Sequence, residues 1–511
     1  MVGVAGKSKA CNDCKRRRVK CGFERPGCLR CAKAHIQCSG YNQRTFFVNR
    51  TLADPAVSAP SVLAKDSRTR LEDSGGSSIQ PELDALQSLS QLNADVHSST
   101  HSPRYFRGQA YRLIEKIYLP RPEGTDNSPN NAIPTTWFGA ICELEDYCPT
   151  LDHALIAFCT IQVHIAATNG DEASRDKCLE KYKFALDRLS DALNLGEERQ
   201  LHCLLACIVV LSTAEFFCFP TDDSLRVHAQ GIADILRLKQ SFTDISSSIW
   251  TRLWSRLRVI AILSQLTGEQ RLSVNGAQWA DFMPENHSVD PIDQLFGIIC
   301  DLPQLLRSAV DAFSGRQFES TDGMTIIAAL WSVLRDIYAW QAVIYGALCP
   351  TPAYTFHPSN LRNPTDEVYG TKLFSSSIHF NSVQTALNFI MSWAFQLHIL
   401  TVLHCITRKH SEERSIVPPQ FIHLYSGFGS IKTEGVRIAR LFCQTIEYCH
   451  RPRMGTFGIQ IECYPCWVVR QFFTHCGAER ELQWCQNVGG MSGAGTRFGV
   501  TVMEFQGSIS I

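Results

Sequence analysis

The stretch CNDCKRRRVKCGFERPGCLRCAKAHIQC, from Cys11 to Cys38, constrains the chain more than any other. Its six cysteines fall twice as C-x2-C-x6-C, so that Cys11, Cys14 and Cys21 recur seventeen positions later as Cys28, Cys31 and Cys38. A stretch of about thirty residues is too small to fold on apolar burial alone. It must be held by disulfides or by metal. The N-terminal MVGVAGKSKAC has no apolar run of signal-peptide length. A chain without an export signal is expected to stay in a reducing compartment, where disulfides are rare. Metal–thiolate bonds are therefore the expected framework.

Zinc takes four tetrahedral ligands, and each half of the repeat offers three thiolates. Two ions need eight ligand positions, which six sulfurs fill only if two are shared. Four terminal and two bridging thiolates close a cluster of two Zn2+ with no open position, a structural site and not a catalytic one. Metal binding then supplies the folding energy of the module. The C-x2-C spacing suits a turn that opens a short helix, whose first amides donate to the sulfurs. Two such helices are expected, joined by a turn at Pro26 and Gly27. A metallothionein-like store would carry more cysteine and lack this helix pattern.

Charge gives the module its partner. The 511-residue chain has equal numbers of basic and acidic residues, yet residues 1–50 hold twelve Lys and Arg against two acids, Asp13 and Glu24. That head is at +10, which leaves −10 for the rest. Lys15, Arg16, Arg17, Arg18 and Lys20 follow Cys14 directly, on the first expected helix. A rigid basic helix is the footprint of a major-groove reader of double-stranded DNA. Arginine suits bidentate contact with guanine O6 and N7. Arg30 and Lys33 occupy the matching part of the less basic second half, which suits phosphate contact. KRRRVK also reads as a nuclear-import signal.

These residues closely resemble the fungal Zn2Cys6 binuclear zinc-cluster transcription factors. The match covers every cysteine, the run CKRRRVKC and Pro26. The resemblance implies that Cys11 and Cys28 bridge the two metals. It implies readout of CGG-type triplets, mainly through the residue four past the second cysteine. That residue is usually Lys in the family and is Arg18 here. It further implies a nuclear regulator of RNA polymerase II genes that works with transcriptional co-regulators. Residues Lys181–Lys239 and AERELQWC at Ala478–Cys485 resemble, more loosely, the regulatory domain of the same fungal factors.

The rest of the chain divides by composition. Residues 1–50 form the DNA-binding module, and residues 51–102, with SGGSS at Ser74–Ser78, read as a flexible linker. A short helix is placed at 79–96, where Leu83, Leu86, Leu89 and Leu92 recur every three residues. That spacing drifts around a helix and holds no 3.5-residue seam, so a homodimer stays open but an obligate coiled coil is not supported. From residue 103 to 485 the pattern is helix after helix, with the amphipathic stripe of Asp171–Leu195 as an example, and a large all-α domain is expected. The final 486–511 reads as a loose tail.

Two apolar stretches, Leu201–Phe219 and Met391–Ile406, are interrupted by Glu215, His398 and His404. They read as buried helices and not membrane spans. Cys463 and Cys466 form another C-x2-C, but CYPCWVV is an apolar setting that favours buried thiols. His398 and His404 lie six apart and miss the spacing of a helical metal pair, so they read as core histidines. No P-loop, G-x-S-x-G elbow or HExxH is present, and an enzyme is not expected. The alternative reading is an effector-sensing or protein-interaction α-domain that the cluster anchors to DNA.

Overall fold

The computed structural model describes residues 14, 19–21, 28–34, 36, 38, 80–94, 102–121, 136–167, 172–194, 201–218, 248–267, 290–313, 321–346, 352–410, 413–493 and 509. The chain divides into two compact units, Met1–Gly76 and Ser77–Ile511.

In the first unit the described core is sulfur. Cys14, Cys21, Cys28 and Cys31 are buried together, with Val19 and Cys38 packed against them. The helix α1, Leu29–Lys33, has Cys28 as its N-cap. The other expected helix lies outside the described residues apart from Cys14.

The second unit is built of helices around one apolar core. Its first half runs α2 (Gln80–Ala94), α3 (Pro103–Ile117), α4 (Thr136–Glu143), α5 (Pro149–Ala167), α6 (Glu172–Asn194), α7 (Leu201–Cys218) and α8 (Ser248–Thr267). Helix α5 is buried on nearly every side, by α2, α3, α6 and α7. A helix apolar all round belongs inside a large protein. The second half runs α9 (Pro291–Ile298), α10 (Leu302–Phe313), α11 (Thr321–Tyr345), β1 (Tyr354–Pro358), α12 (Pro364–Tyr369), β2 (Ser376–Phe380), α13 (Val383–His410), α14 (Ile422–Phe428), α15 (Ile431–Cys443), α16 (Ile446–Cys449), α17 (Gly455–Cys476) and α18 (Glu479–Gln486). Helix α13 is its axis, packed by α11, α15 and α17. By length and composition α13 is apolar enough to cross a membrane, but 94% of its most apolar window is buried in the protein.

Helix starts follow local chemistry. Ser102, Asp290 and Asn363 each accept from an amide of the next turn, and each precedes a proline that needs no donor at the first helical position. Gly455 joins the halves: at φ +56°, a Cβ there would stand 2.5 Å from the Tyr118 carbonyl oxygen. Only glycine lets α17 begin so close to the end of α3. Phe457 N–H donates to that same carbonyl at 3.1 Å.

Three features depart from the expected layout. The all-α body contains an antiparallel ribbon, with Tyr354 opposite Phe380 and Pro358 opposite Ser376. Ile378 N–H donates to the Gln444 carbonyl at 2.8 Å, so the ribbon is tied to the turn after α15. Helix α2, assigned to the linker, belongs to the body: Leu86 and Leu89 are buried in its core, and Glu82 pairs with Lys116 of α3. The tail is anchored where it is described. Ser492 bridges to Arg362, Met491 is buried, and Ile509 is held by Gln471 and His475. Helix α7 is buried as its sequence predicts, and Glu215 within it accepts from the Tyr182 hydroxyl inside the core.

Candidate metal centre

Three sulfurs converge in the first unit. Cys14 Sγ lies 3.6 Å from Cys28 Sγ and 4.0 Å from Cys31 Sγ. Disulfide sulfurs lie about 2.05 Å apart. Two thiolates on one tetrahedral zinc, each with a Zn–S bond of about 2.3 Å, stand about 3.8 Å apart. The observed separations bracket that edge and are too long for a disulfide between these sulfurs. The donor set is thiolate in a buried pocket, which fits zinc and similar soft ions. Among the described residues, this is the one group of three or more metal-ligating side chains with atoms within 4.8 Å of one another.

Local structure explains the convergence. Cys31 N–H donates to Cys28 Sγ at 3.3 Å, so the start of α1 holds a sulfur by its amides. One turn of helix then carries Cys31 inward while Arg30 and Lys33 stay exposed. In the first half Val19 N–H donates to the Cys14 carbonyl at 3.0 Å, Cys21 is buried and Lys20 is exposed. Cys38 is half-buried against the sulfur core. Cys11, Lys15, Arg16, Arg17 and Arg18 lie outside the described residues.

Residues 9–45 match the fungal Zn(2)-Cys(6) binuclear cluster domain. The chain carries the zinc-cluster domain of DNA-binding transcription regulators. Its cluster binds two zinc ions, which cross-link the two halves of the repeat where no apolar core does so. No curated protein and no solved structure matches the chain.

The other sequence motifs lie in the core of the body. Cys463 is buried in α17 and Cys466 half-buried, and burial pushes both thiols well above their usual pKa. Cys443 and Cys485 meet across α15 and α18 with sulfurs 3.5 Å apart, a contact that their spacing of 42 residues conceals. His398 is buried, and its Nδ1 shares a hydrogen bond of 2.9 Å with the Tyr464 hydroxyl. Burial lowers its pKa to about 3. Arg107 of α3 is fully buried, with Nε 3.3 Å from Asp152 and its other nitrogens on the carbonyls of Leu144 and Asp146. No local sequence signal marks that contact.

Proposed function

We propose that the chain is a nuclear, sequence-specific regulator of genes transcribed by RNA polymerase II. Its cluster docks a basic helix in the major groove over a CGG-type triplet. In this reading Cys11, Cys14, Cys21, Cys28, Cys31 and Cys38 are the zinc ligands, with Cys11 and Cys28 shared. Arg18 reads the guanine edge, and Lys15, Arg16, Arg17, Lys20, Arg30 and Lys33 hold phosphates. The carrying observation is that five cations sit between two ligand cysteines of a metal-fixed turn, where the cluster sets their direction. The exposure of Lys20, Arg30 and Lys33 beside buried sulfurs supports it. The helical body acts as the regulatory domain that engages co-regulators, and no catalysis is assigned to it.

A mobility shift on CGG-containing duplex, with and without a zinc chelator, tests the mechanism. Binding is expected to vanish on full metal removal, and binding that survives sinks the proposal. Arg18→Ala should lose about 1–3 kcal/mol on the preferred site and relax base choice. Arg16→Ala should weaken all duplexes alike. A uniform loss from Arg18→Ala removes it as the reader.

A further inference from the structure

A cavity of about 100 Å³ lies in the body, between the α5-centred and α13-centred halves. Helices α4, α8, α9, α13 and α17 each contribute to its wall, and Trp137, Val259, Phe296, Met391, Phe457 and Ile461 make it largely apolar. Its size is on the scale that holds one aromatic ring or a short branched chain. Two of its polar groups stand out because their hydrogen-bonding capacity is unspent.

The first is Arg256. Its Nη2 lies 3.4 Å from the Thr213 hydroxyl, itself already bonded to the Val209 carbonyl, and its guanidinium sits 5.5 Å from the Trp137 ring centre. Among the described residues its buried Nε has no acceptor, and no carboxylate pairs with it. Its neighbours on α8 differ: Arg252 pairs with Glu143, and Arg258 pairs with Asp293 at 3.0 Å. Desolvation lowers the pKa of Arg256, with only the Tyr118 phenol acting the other way. Arg256 is half-buried, and a cation held partly out of water with no carboxylate beside it is unfavourable.

The second is Gln460. It is 7% exposed, and its Oε1 accepts from the Tyr118 hydroxyl at 2.6 Å. That bond turns the amide so that Nε2, buried and without an acceptor, is a spare donor. Tyr118 thus links the two groups, held by Gln460 and within the electrostatic reach of Arg256. A largely apolar wall with one unpaired cation and one spare amide donor is complementary to a carboxylate on an apolar body. Asp290 and Asp293 share the lining, but each has its own donors, Gln384 and the Ile292 amide for Asp290, Arg258 and Ser255 for Asp293. Two resident carboxylates limit the occupant to a single negative charge.

We infer that this cavity binds a small organic monocarboxylate with an apolar body, its carboxylate on Arg256 and Gln460, as an effector of the regulator. The site is independent of the zinc cluster, so a failure here leaves the DNA-binding reading untouched.

The test is calorimetric titration of the full, zinc-loaded chain with benzoate, phenylacetate and 4-methylpentanoate, each against its neutral amide. At least one acid is expected to bind, about tenfold or more tighter than its amide. Arg256→Met should abolish that preference, and Val259→Phe, which fills the cavity and leaves the charge, should abolish binding. Circular dichroism and thermal melting establish which variants are folded; if Arg256→Met is not, Arg256→Lys, expected to weaken the acid selectively, replaces it. Equal affinity for acid and amide, a preference that survives in the folded Arg256 variant, binding that survives in Val259→Phe, or no binding of any acid at millimolar concentration overturns the inference.

Discussion

Replacing Arg107 by Met keeps the length of the side chain and removes its charge and donors. The ion pair is closed to water: the side chains of Arg107 and Asp152 are 0% and 3% exposed. Two losses follow. The carbonyls of Leu144 and Asp146, now held at 2.5 and 2.8 Å, are left without their donor. An unsatisfied buried group costs about 1–3 kcal/mol, which applies to the buried Leu144 carbonyl, while water can replace the donor at the exposed Asp146. The second loss depends on pH. Burial raises the Asp152 pKa to about 6 from 3.8, against the lowering effect of Arg107. A carboxyl whose folded pKa is raised contributes stability that is fully present below the unfolded pKa and is lost as pH rises through the folded one. Without Arg107 the folded pKa of Asp152 rises further. The variant therefore goes on losing stability above pH 6, where the wild type has levelled off. The deficit grows by up to about 1.4 kcal/mol per pH unit, reaching about 3–5 kcal/mol near pH 8. Equilibrium urea unfolding of the full chain reads this directly, since all nine tryptophans follow residue 76 and report the body alone. Adding Asp152→Leu should recover the pH-dependent part. A deficit equal at pH 5 and pH 8, or a double variant no better than the single one at pH 8, refutes the reasoning.

Leu89→Ala should destabilise the body by about 2–5 kcal/mol in the same urea titration, since Leu89 is 2% exposed in the core. A change below about 0.5 kcal/mol, as at a surface position, would return α2 to the linker. His398 gives a pH signature of opposite sense. Its folded pKa of about 3 lies below the unfolded 6.5, so its contribution is complete above 6.5 and is lost as pH falls toward 3. His398→Gln should flatten the acid limb of the stability curve by up to about 1.4 kcal/mol per pH unit, measured by urea midpoints, and an unchanged limb excludes His398 as its source. Cys28→Ser should reduce bound zinc from two ions to one or none, measured by atomic emission on the dialysed protein. Retention of both ions would remove Cys28 from the bridging role.

The cluster was legible because its determinants are local. Metal-ligand spacing, the turn at Pro26 and Gly27, and the run of cations all fall within twenty-eight residues. The body was legible as helical where an apolar stripe is long: Asp171–Leu195 is matched by α6 at Glu172–Asn194. Helix α2 was misassigned because the leucines alone were read. Its packing face is Glu82, Leu86 and Leu89, spaced by four and three, with the polar Glu82 hiding the period. An acid reads as solvent-facing until Lys116 of the next helix is known to meet it.

The same blindness covers the cavity, and for a reason that bears on what the body does. Periodicity assigns residues to faces but says nothing of which charges on facing helices cancel. Arg252, Arg256 and Arg258 sit within seven residues of one helix and look alike in sequence. In the fold two of them meet carboxylates from other helices, Glu143 and Asp293, and the third meets none among the described residues. Stability alone gives no account of an unpaired guanidinium beside an amide with a spare donor, because a Met or Leu at position 256 would avoid the desolvation cost. The cost makes sense if an anion is the missing partner. Binding then bridges α8 and α17 across the cavity, since Arg256 and Gln460 stand on those two helices and Phe457 and Tyr464 of α17 share the same wall. A ligand that holds two halves of a helical body together stabilises it by mass action, and a regulator whose body tightens on binding has a physical means of reporting that ligand to its co-regulators.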